Sequence, residues 1–289
     1  VEAVSARPAT PGRVRRASRE LALVAVLFCA YKLGRLAVVD RADTAIANGE
    51  LIWRLERLLL LPGEAAVQAP LLAHELLARL ANGYYAYVHF PATAICLLWL
   101  YLRRPAHYRW TRNALALLTA AALVLHIAVP LAPPRLTALT AMVDTGDRFG
   151  PAVYGPPDAD VLSNQYAAMP SLHVGWAVAV AVALVAATGG RLRWLWLAHP
   201  LVTSVVVVAT GNHYWLDGLV ASAMLALILL ALPGPAVVPT PAVSPAPAPD
   251  PGRAPAPDAG PRPPRVPAQR APERAAPDLT AAGDRSPAP

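Results

Sequence analysis

Apolar residues gather in six long runs, Leu21 to Val39, Gly83 to Leu102, Ala114 to Leu131, Val174 to Thr188, Leu195 to Thr210 and Tyr214 to Leu232. A helix rises about 1.5 Å per residue, so about 20 such residues cross a hydrocarbon core of about 30 Å. The pattern therefore predicts an all-α polytopic membrane protein, a bundle of six transmembrane helices. The fourth and fifth runs are short, and Ser171 to His173 and Arg193 to Trp194 complete them at their ends. Between the first two runs, Ala42 to Asn82 mixes Leu, Ala and Trp53 with Arg54, Glu56, Arg57, Glu64, His74, Glu75 and Arg79. Apolar residues recur there at helical spacing, with Pro62-Gly63 as a break. Two interfacial amphipathic helices fit this better than a further crossing.

Composition supports that class. Of 289 residues 56% are hydrophobic and only 15% charged, with mean hydropathy +0.41, too apolar for an ordinary soluble domain. The net charge of +7 raises nucleic acid as a partner, but the arginines sit in short clusters beside apolar runs and form no sustained patch. Nucleic-acid binding is therefore set aside. Cys29 and Cys96 lie inside apolar segments, far apart and without metal-ligand spacing, so neither a disulfide framework nor a zinc site follows.

Three regions result: a basic N-terminal segment over 1–20, a membrane domain over 21–232 and a Pro/Ala-rich tail over 233–289. The tail has no apolar periodicity and reads as disordered linker. A secretory signal peptide is the competing reading of the start, but the apolar run is longer than a usual signal core and shows no obvious small-residue cleavage site. Arg7, Arg13, Arg15, Arg16, Arg19, Arg103, Arg104, Arg109, Arg112, Arg191 and Arg193 place eleven arginines in short flanks on one side of the bundle. Arg41, Arg54, Arg57, Arg79, Arg135 and Arg148 place six on the other, in longer segments holding most of the acidic residues. The positive-inside rule then makes both termini cytoplasmic and the interfacial helices extracytoplasmic, as expected of a multi-pass plasma-membrane protein. The segment Ala132 to Leu172 and the Gly211-Asn212-His213 turn face outward together.

Three polar clusters fall on that outer face: Ala132-Pro133-Pro134-Arg135, Met169-Pro170-Ser171-Leu172-His173 and Gly211-Asn212-His213-Tyr214-Trp215-Leu216-Asp217. His213 and Asp217 are four apart and share a helix face, so the carboxylate can fix the imidazole tautomer and prepare it as nucleophile or base. His173 lies at a helix N-terminus, where free N–H groups favour an anion, with Ser171 as a further donor. Arg135 offers the planar fork that suits phosphate oxygens, and His173 could protonate a leaving alkoxide. Plainer readings stand beside these: Pro170-Ser171 as a helix start and N-cap, His213 with Asp217 as a structural pair. What favours chemistry is the joint pattern of three clusters at helix ends on one face.

Arg135, Pro170-Ser171-Leu172-His173 and His213-x-x-x-Asp217 resemble the three motifs of the type 2 phosphatidic acid phosphatase superfamily. The resemblance covers about residues 20–232 and implies six transmembrane helices, with His173 as general acid, His213 as nucleophile, Asp217 as its orienting carboxylate, and no cofactor or metal. In wording, the motifs are similar to the inositolphosphotransferase branch, which includes inositol phosphorylceramide synthases, and to its actinobacterial relatives. The expected activity is transfer or hydrolysis of a lipid phosphate ester through a phosphohistidine. Two family cations are missing: Ala128 stands where a lysine is usual and Val207 where an arginine is.

Lys32 and Arg35, in the outer half of the first span, are candidate replacements, or else snorkel to the interface. His89 and His126 are either interhelical hydrogen-bonding residues or members of the site. Asn164, Gln165 and Tyr166 resemble head-group residues, and Asn212 belongs to the third cluster as a possible support. Asp144, Asp147, Asp158 and Asp160 match no metal-loop spacing and read as solvated turn residues. A transporter with an intramembrane polar path is the rival class, and a scaffold recruiting a partner through its Pro-rich tail a third. Neither predicts Pro-Ser-x-His and His-x-x-x-Asp at two outer helix ends. The lipid, the acceptor and the oligomeric state leave no mark in the pattern.

Overall fold

The computed structural model describes residues 41–153, 155 and 164–235, with 15, 18–23, 25–26 and 29–30 ahead of them. Most of the expected first span, together with Lys32, Arg35 and the tail from 236 onward, therefore lies outside the described residues. All named elements are helical: α1 Ala42–Leu58, α2 Glu64–Ala73, α3 Glu75–Tyr87, α4 His89–Arg103, α5 Pro105–Ala128, α6 Thr145–Phe149, α7 Leu172–Ala187, α8 Ala198–Ala209 and α9 Trp215–Ala231. Short 3₁₀ segments stand at Pro134–Leu136, Ala138–Thr140 and Arg191–Leu197.

Two helical stretches, Pro105–Ala128 and Arg191–Ala209, are long and apolar enough to cross a membrane. A third crossing results if α3 and α4, bent by 43° at their junction, count as one. Helices α7 and α9 are as apolar but shorter; the 16 residues of α7 rise only about 24 Å. Among the described residues the structure thus supplies two to three of the six spans read from the sequence.

The boundaries shift for local reasons. The interfacial segment forms three helices instead of two, because His74 takes an extended backbone (φ −135°) and separates α2 from α3. Helix α3 runs on past Asn82 to Tyr87, into the start of the expected second span. Pro91 has no N–H to offer the Tyr87 carbonyl one turn back, which accounts for the bend at Val88. Helix α5 begins at Pro105, a residue that costs nothing at the first helical position.

Helix α7 is central, packed by α4, α5, α8 and α9. Gly175, Ala177, Ala179, Ala181 and Ala183 are all buried along it, and such small residues let neighbouring helices approach closely. Leu115, Leu118, Ala179 and Leu225 join α5, α7 and α9 in one cluster, while Cys96, Leu100, Val180 and Ala183 join α4 to α7. Outward, Leu98, Leu102, Leu117, Val124, Leu201, Leu219 and Leu227 are exposed, a surface suited to hydrocarbon.

The interfacial helices brace the loops above this bundle. Ala132 donates its N–H to the Ala45 carbonyl (2.9 Å), and Asn48 reaches the Pro130 carbonyl (2.8 Å). Gln68 accepts from Val143 N and donates to Val143 O, both at 2.8 Å; Asn82 holds the Thr145 hydroxyl and the Thr145 and Gly150 carbonyls.

Gly49 on α1 marks the tightest of these contacts. A Cβ there would lie 2.8 Å from the Ala132 carbonyl oxygen and 3.0 Å from the Tyr214 hydroxyl, and the backbone oxygen cannot retreat. Gly83 on α3 would meet nothing within 4 Å. Gly49→Ala should therefore destabilise the protein by about 1–3 kcal/mol. Gly83→Ala should stabilise it by about 0.5–1 kcal/mol through helix propensity. Thermal unfolding in detergent micelles checks both signs.

Candidate active site

The turn between α8 and α9 depends on Gly211, whose φ of +74° suits glycine and whose missing Cβ would press on Arg135 at 3.1 Å. The N–H groups of Asn212 and His213 both point back to the Val207 carbonyl, at 3.0 and 3.1 Å. Asp217 occupies the third position of α9, fully buried, and its Oδ2 accepts from Tyr214 N at 2.9 Å and from His213 Nδ1 at 3.2 Å. The Ala168 carbonyl lies 2.9 Å from the same Nδ1. Both neighbours are oxygen acceptors, so Nδ1 carries the proton and Nε2 keeps its lone pair. His213 lines a cavity of about 580 Å³.

His173 lines the same cavity from the second position of α7, its ring centroid 5.9 Å from that of His213. Tyr85 stacks on it at 4.4 Å, with His89 at 4.8 Å and Phe90 at 5.9 Å. Ser171 caps the helix by accepting from Val174 N at 3.3 Å, and its own N–H bonds the Asp217 carbonyl at 3.0 Å. That second bond ties the second cluster to the third. The Ser171 side chain is wholly buried and caps the helix, and it is not among the residues that line the cavity. His126 supports the same corner from α5, with Nε2 3.2 Å from the Pro170 carbonyl.

Arg135 brings the first cluster into contact with the others. Its N–H bonds the Gly211 carbonyl at 3.0 Å, Nη1 donates to Asn212 Oδ1, and Nη2 donates to Gln165 Oε1 at 3.3 Å. Nε lies 3.1 Å from Asp144 Oδ2. Arg135, Asn164, Gln165 and Asn212 all line the cavity; Tyr166 does not, and is held instead through its carbonyl, which accepts from Leu131 N at 2.8 Å.

Sequence reasoning thus finds the residues that meet here but misses some of their surroundings. Asp144 is not merely a solvated turn residue: it caps α6 through Gly146 N and Asp147 N and faces Arg135. Tyr85, Phe90, Thr119, Leu123 and Trp176 form much of the cavity wall, on helices whose facing was not readable. Ala128 and Val207, where the resemblance implies cations, are apolar here, so Arg135 is the Lys or Arg lining the cavity among the described residues. No three His, Cys, Asp or Glu side chains among those residues gather as a metal-binding group.

The arrangement sets one unprotonated imidazole nitrogen opposite a second imidazole, beside a guanidinium and side-chain amides, in a largely apolar cavity. It can hold a tetrahedral oxyanion while protons move at two imidazoles. A family model described as the PAP2 superfamily matches residues 50–232, a stretch that contains all three clusters. No curated protein and no solved structure matches the chain.

Because Arg135 is held by three different side chains, its fork should matter beyond its charge. Orthovanadate, a tetrahedral phosphate mimic, should raise the unfolding midpoint of the wild type. Arg135→Lys keeps the charge but loses the planar donors, and should weaken vanadate binding about tenfold, measured as the concentration dependence of that midpoint shift.

Proposed function

Because the chain belongs to the PAP2 superfamily, we propose that it is an integral membrane phosphotransferase or phosphatase that acts on a lipid phosphate through a phosphohistidine on His213. Membership supports the phosphatase-type or phosphotransferase-type chemistry. The observation that carries the finer reading is the His213 imidazole, with Nδ1 tied to Asp217 and Ala168 and the ring set in the cavity opposite His173.

In the proposed first step, His213 Nε2 attacks phosphorus and the phosphorus–oxygen bond to the leaving alcohol breaks. His173 delivers the proton that this oxygen needs. Asp217 stabilises the charge that His213 gains, and Arg135 with the N-terminus of α7 holds the charge on the phosphoryl oxygens. In the second step an acceptor hydroxyl gives its proton to His173 and attacks phosphorus, which frees His213. Water as acceptor makes the protein a phosphatase; a polyol or lipid hydroxyl makes it a transferase.

The lining supports a substrate with two characters. Phe90, Leu123, Leu172 and Trp176 offer apolar wall for a lipid body, while Asn164, Gln165 and Asn212 cluster by Arg135 where a polar head group would sit. This is the pattern an inositolphosphotransferase-like enzyme needs. The arginine distribution supports a multi-pass plasma-membrane protein with an extracytoplasmic site, a membrane domain over 21–232 and cytoplasmic termini.

The purified protein is offered phosphatidic acid and phosphatidylinositol, each with and without an acceptor alcohol. His213→Ala should lower turnover on the order of 10³-fold or more while the protein stays folded. Vanadate should inhibit and a chelator should not. Retained turnover in His213→Ala would overturn the phosphohistidine mechanism.

A further inference from the structure

The third cluster is seated by a residue from outside it. Glu56, near the end of α1, is completely buried, and its Oε1 accepts from the N–H of Leu216 at 2.7 Å. Leu216 is the second residue of α9, so this bond satisfies one of the donors that every helix start leaves without an intrahelical partner. The neighbouring donor, Tyr214 N, is taken by Asp217 itself. Trp215 adds a third tie, its Nε1 donating to the Pro62 carbonyl at 2.9 Å. Glu56 and the turn that follows α1 thus grip Trp215 and Leu216, the two residues of α9 that precede Asp217.

We propose that Glu56 is a positioning residue for the His213–Asp217 pair: its carboxyl, carried by α1, fixes the first turn of α9 so that Asp217 presents Oδ2 to Nδ1 of His213. The proposal rests on the reading of His213 as nucleophile for its consequence in turnover, but not for the placement itself.

The charges around Glu56 distinguish this role from ordinary packing. The charged and titratable groups facing it are Arg57 on α1, Glu64 on α2, and Tyr214 and Asp217 at the start of α9. Arg57 Nη2 lies 3.0 Å from Glu64 Oε1 but 3.8 Å from Glu56 Oε2, so this cation serves Glu64 first. Burial, reinforced by the neighbouring Glu64, pushes the Glu56 carboxyl up from 4.5 to about 9. At neutral pH Glu56 therefore seats α9 as a neutral acid and adds no second negative charge beside Asp217.

The native protein holds this proton in a range where the unfolded chain has released it. The stabilising contribution is complete below the ordinary carboxyl range, declines as pH rises, and is gone once pH passes about 9. Glutamine keeps the accepting oxygen and has no proton to lose.

Wild type, Glu56→Gln and Glu56→Ala are compared in detergent by hydrogen exchange of the first turn of α9, by the ¹⁵N signals of His213 and by turnover of a lipid phosphate. Glu56→Gln should match the wild type near neutral pH and, in thermal unfolding, keep its stability above about pH 9, where the wild type has lost the contribution of the neutral acid. Glu56→Ala should lower first-turn protection about tenfold, the loss of one buried hydrogen bond, and let the two tautomers of His213 mix. Its kcat should fall roughly 10- to 100-fold with KM little changed, as expected of a misplaced reacting group. A single His213 tautomer in Glu56→Ala, or equal pH sensitivity in wild type and Glu56→Gln, would overturn the proposal. Should Glu56→Ala fail to fold, Glu56→Gln still decides: it keeps the oxygen that accepts from Leu216 N, so it should keep a single His213 tautomer and wild-type protection of the first turn near neutral pH, and a mixed tautomer there would overturn the proposal. Wild-type protein without turnover that nevertheless gives the expected spectra would remove the enzymatic reading and leave the placement supported.

Discussion

The structure of the site depends on one buried carboxylate. Asp217 has no exposure, and a carboxylate out of water is costly unless hydrogen bonds and nearby positive potential compensate it. Tyr214 N and His213 Nδ1 supply two bonds to Oδ2, and the N-terminal turn of α9 supplies the favourable end of the helix dipole. The backbone of the same residue does further work, because its carbonyl receives Ser171 N and so fixes the start of α7 against the start of α9. Asp217, together with the Ala168 carbonyl, thereby sets the tautomer of His213, and its backbone anchors the helix start that carries His173.

This constraint gives the interfacial helices their task. Two helix starts that meet in a buried corner need their loops held, and α1, α2 and α3 hold them through Asn48, Gln68 and Asn82, each bonded to the carbonyl of a distant loop. Amide side chains suit the task, since one Gln or Asn can donate and accept at once, as Gln68 does with both backbone groups of Val143. Without such partners the loop from Val143 to Gly150 would leave polar backbone unsatisfied beside a cavity that is mostly apolar.

Much of this was legible in the sequence, and what was legible was local. The four-residue step from His213 to Asp217, the Ser171 cap and the glycine turn before His213 each follow from helix geometry within a few residues. Helix content followed from the apolar runs, though not every boundary: His74 and Pro91 broke segments whose periodicity ran on across them. Contacts between distant segments left no trace. Asp144 looked like a turn residue because nothing near it in sequence shows that Arg135 would arrive beside it. Glu56 looked like one more polar position on an amphipathic helix, although it is buried against a helix that begins 159 residues later, at Trp215. Amphipathic patterning says which face is polar, and does not say whether that face meets water or another polar surface.

The apolar residues Ala128 and Val207, at positions where the resemblance implies cations, can be read in the same terms. A charged side chain at 207 would have to fit where Val207 is now almost wholly buried, against Tyr85 and Val174. Here that position contributes its carbonyl instead, which gathers the N–H groups of Asn212 and His213 and shapes the turn from within. Among the described residues that line the cavity, the positive charge is then left to Arg135, whose guanidinium is oriented by Asn212, Gln165 and Asp144. Orientation in advance makes a single fork count for more, because no reorganisation is needed when charge develops on a bound oxyanion. Among the described residues the cavity is lined by this one guanidinium, held on three sides by side chains.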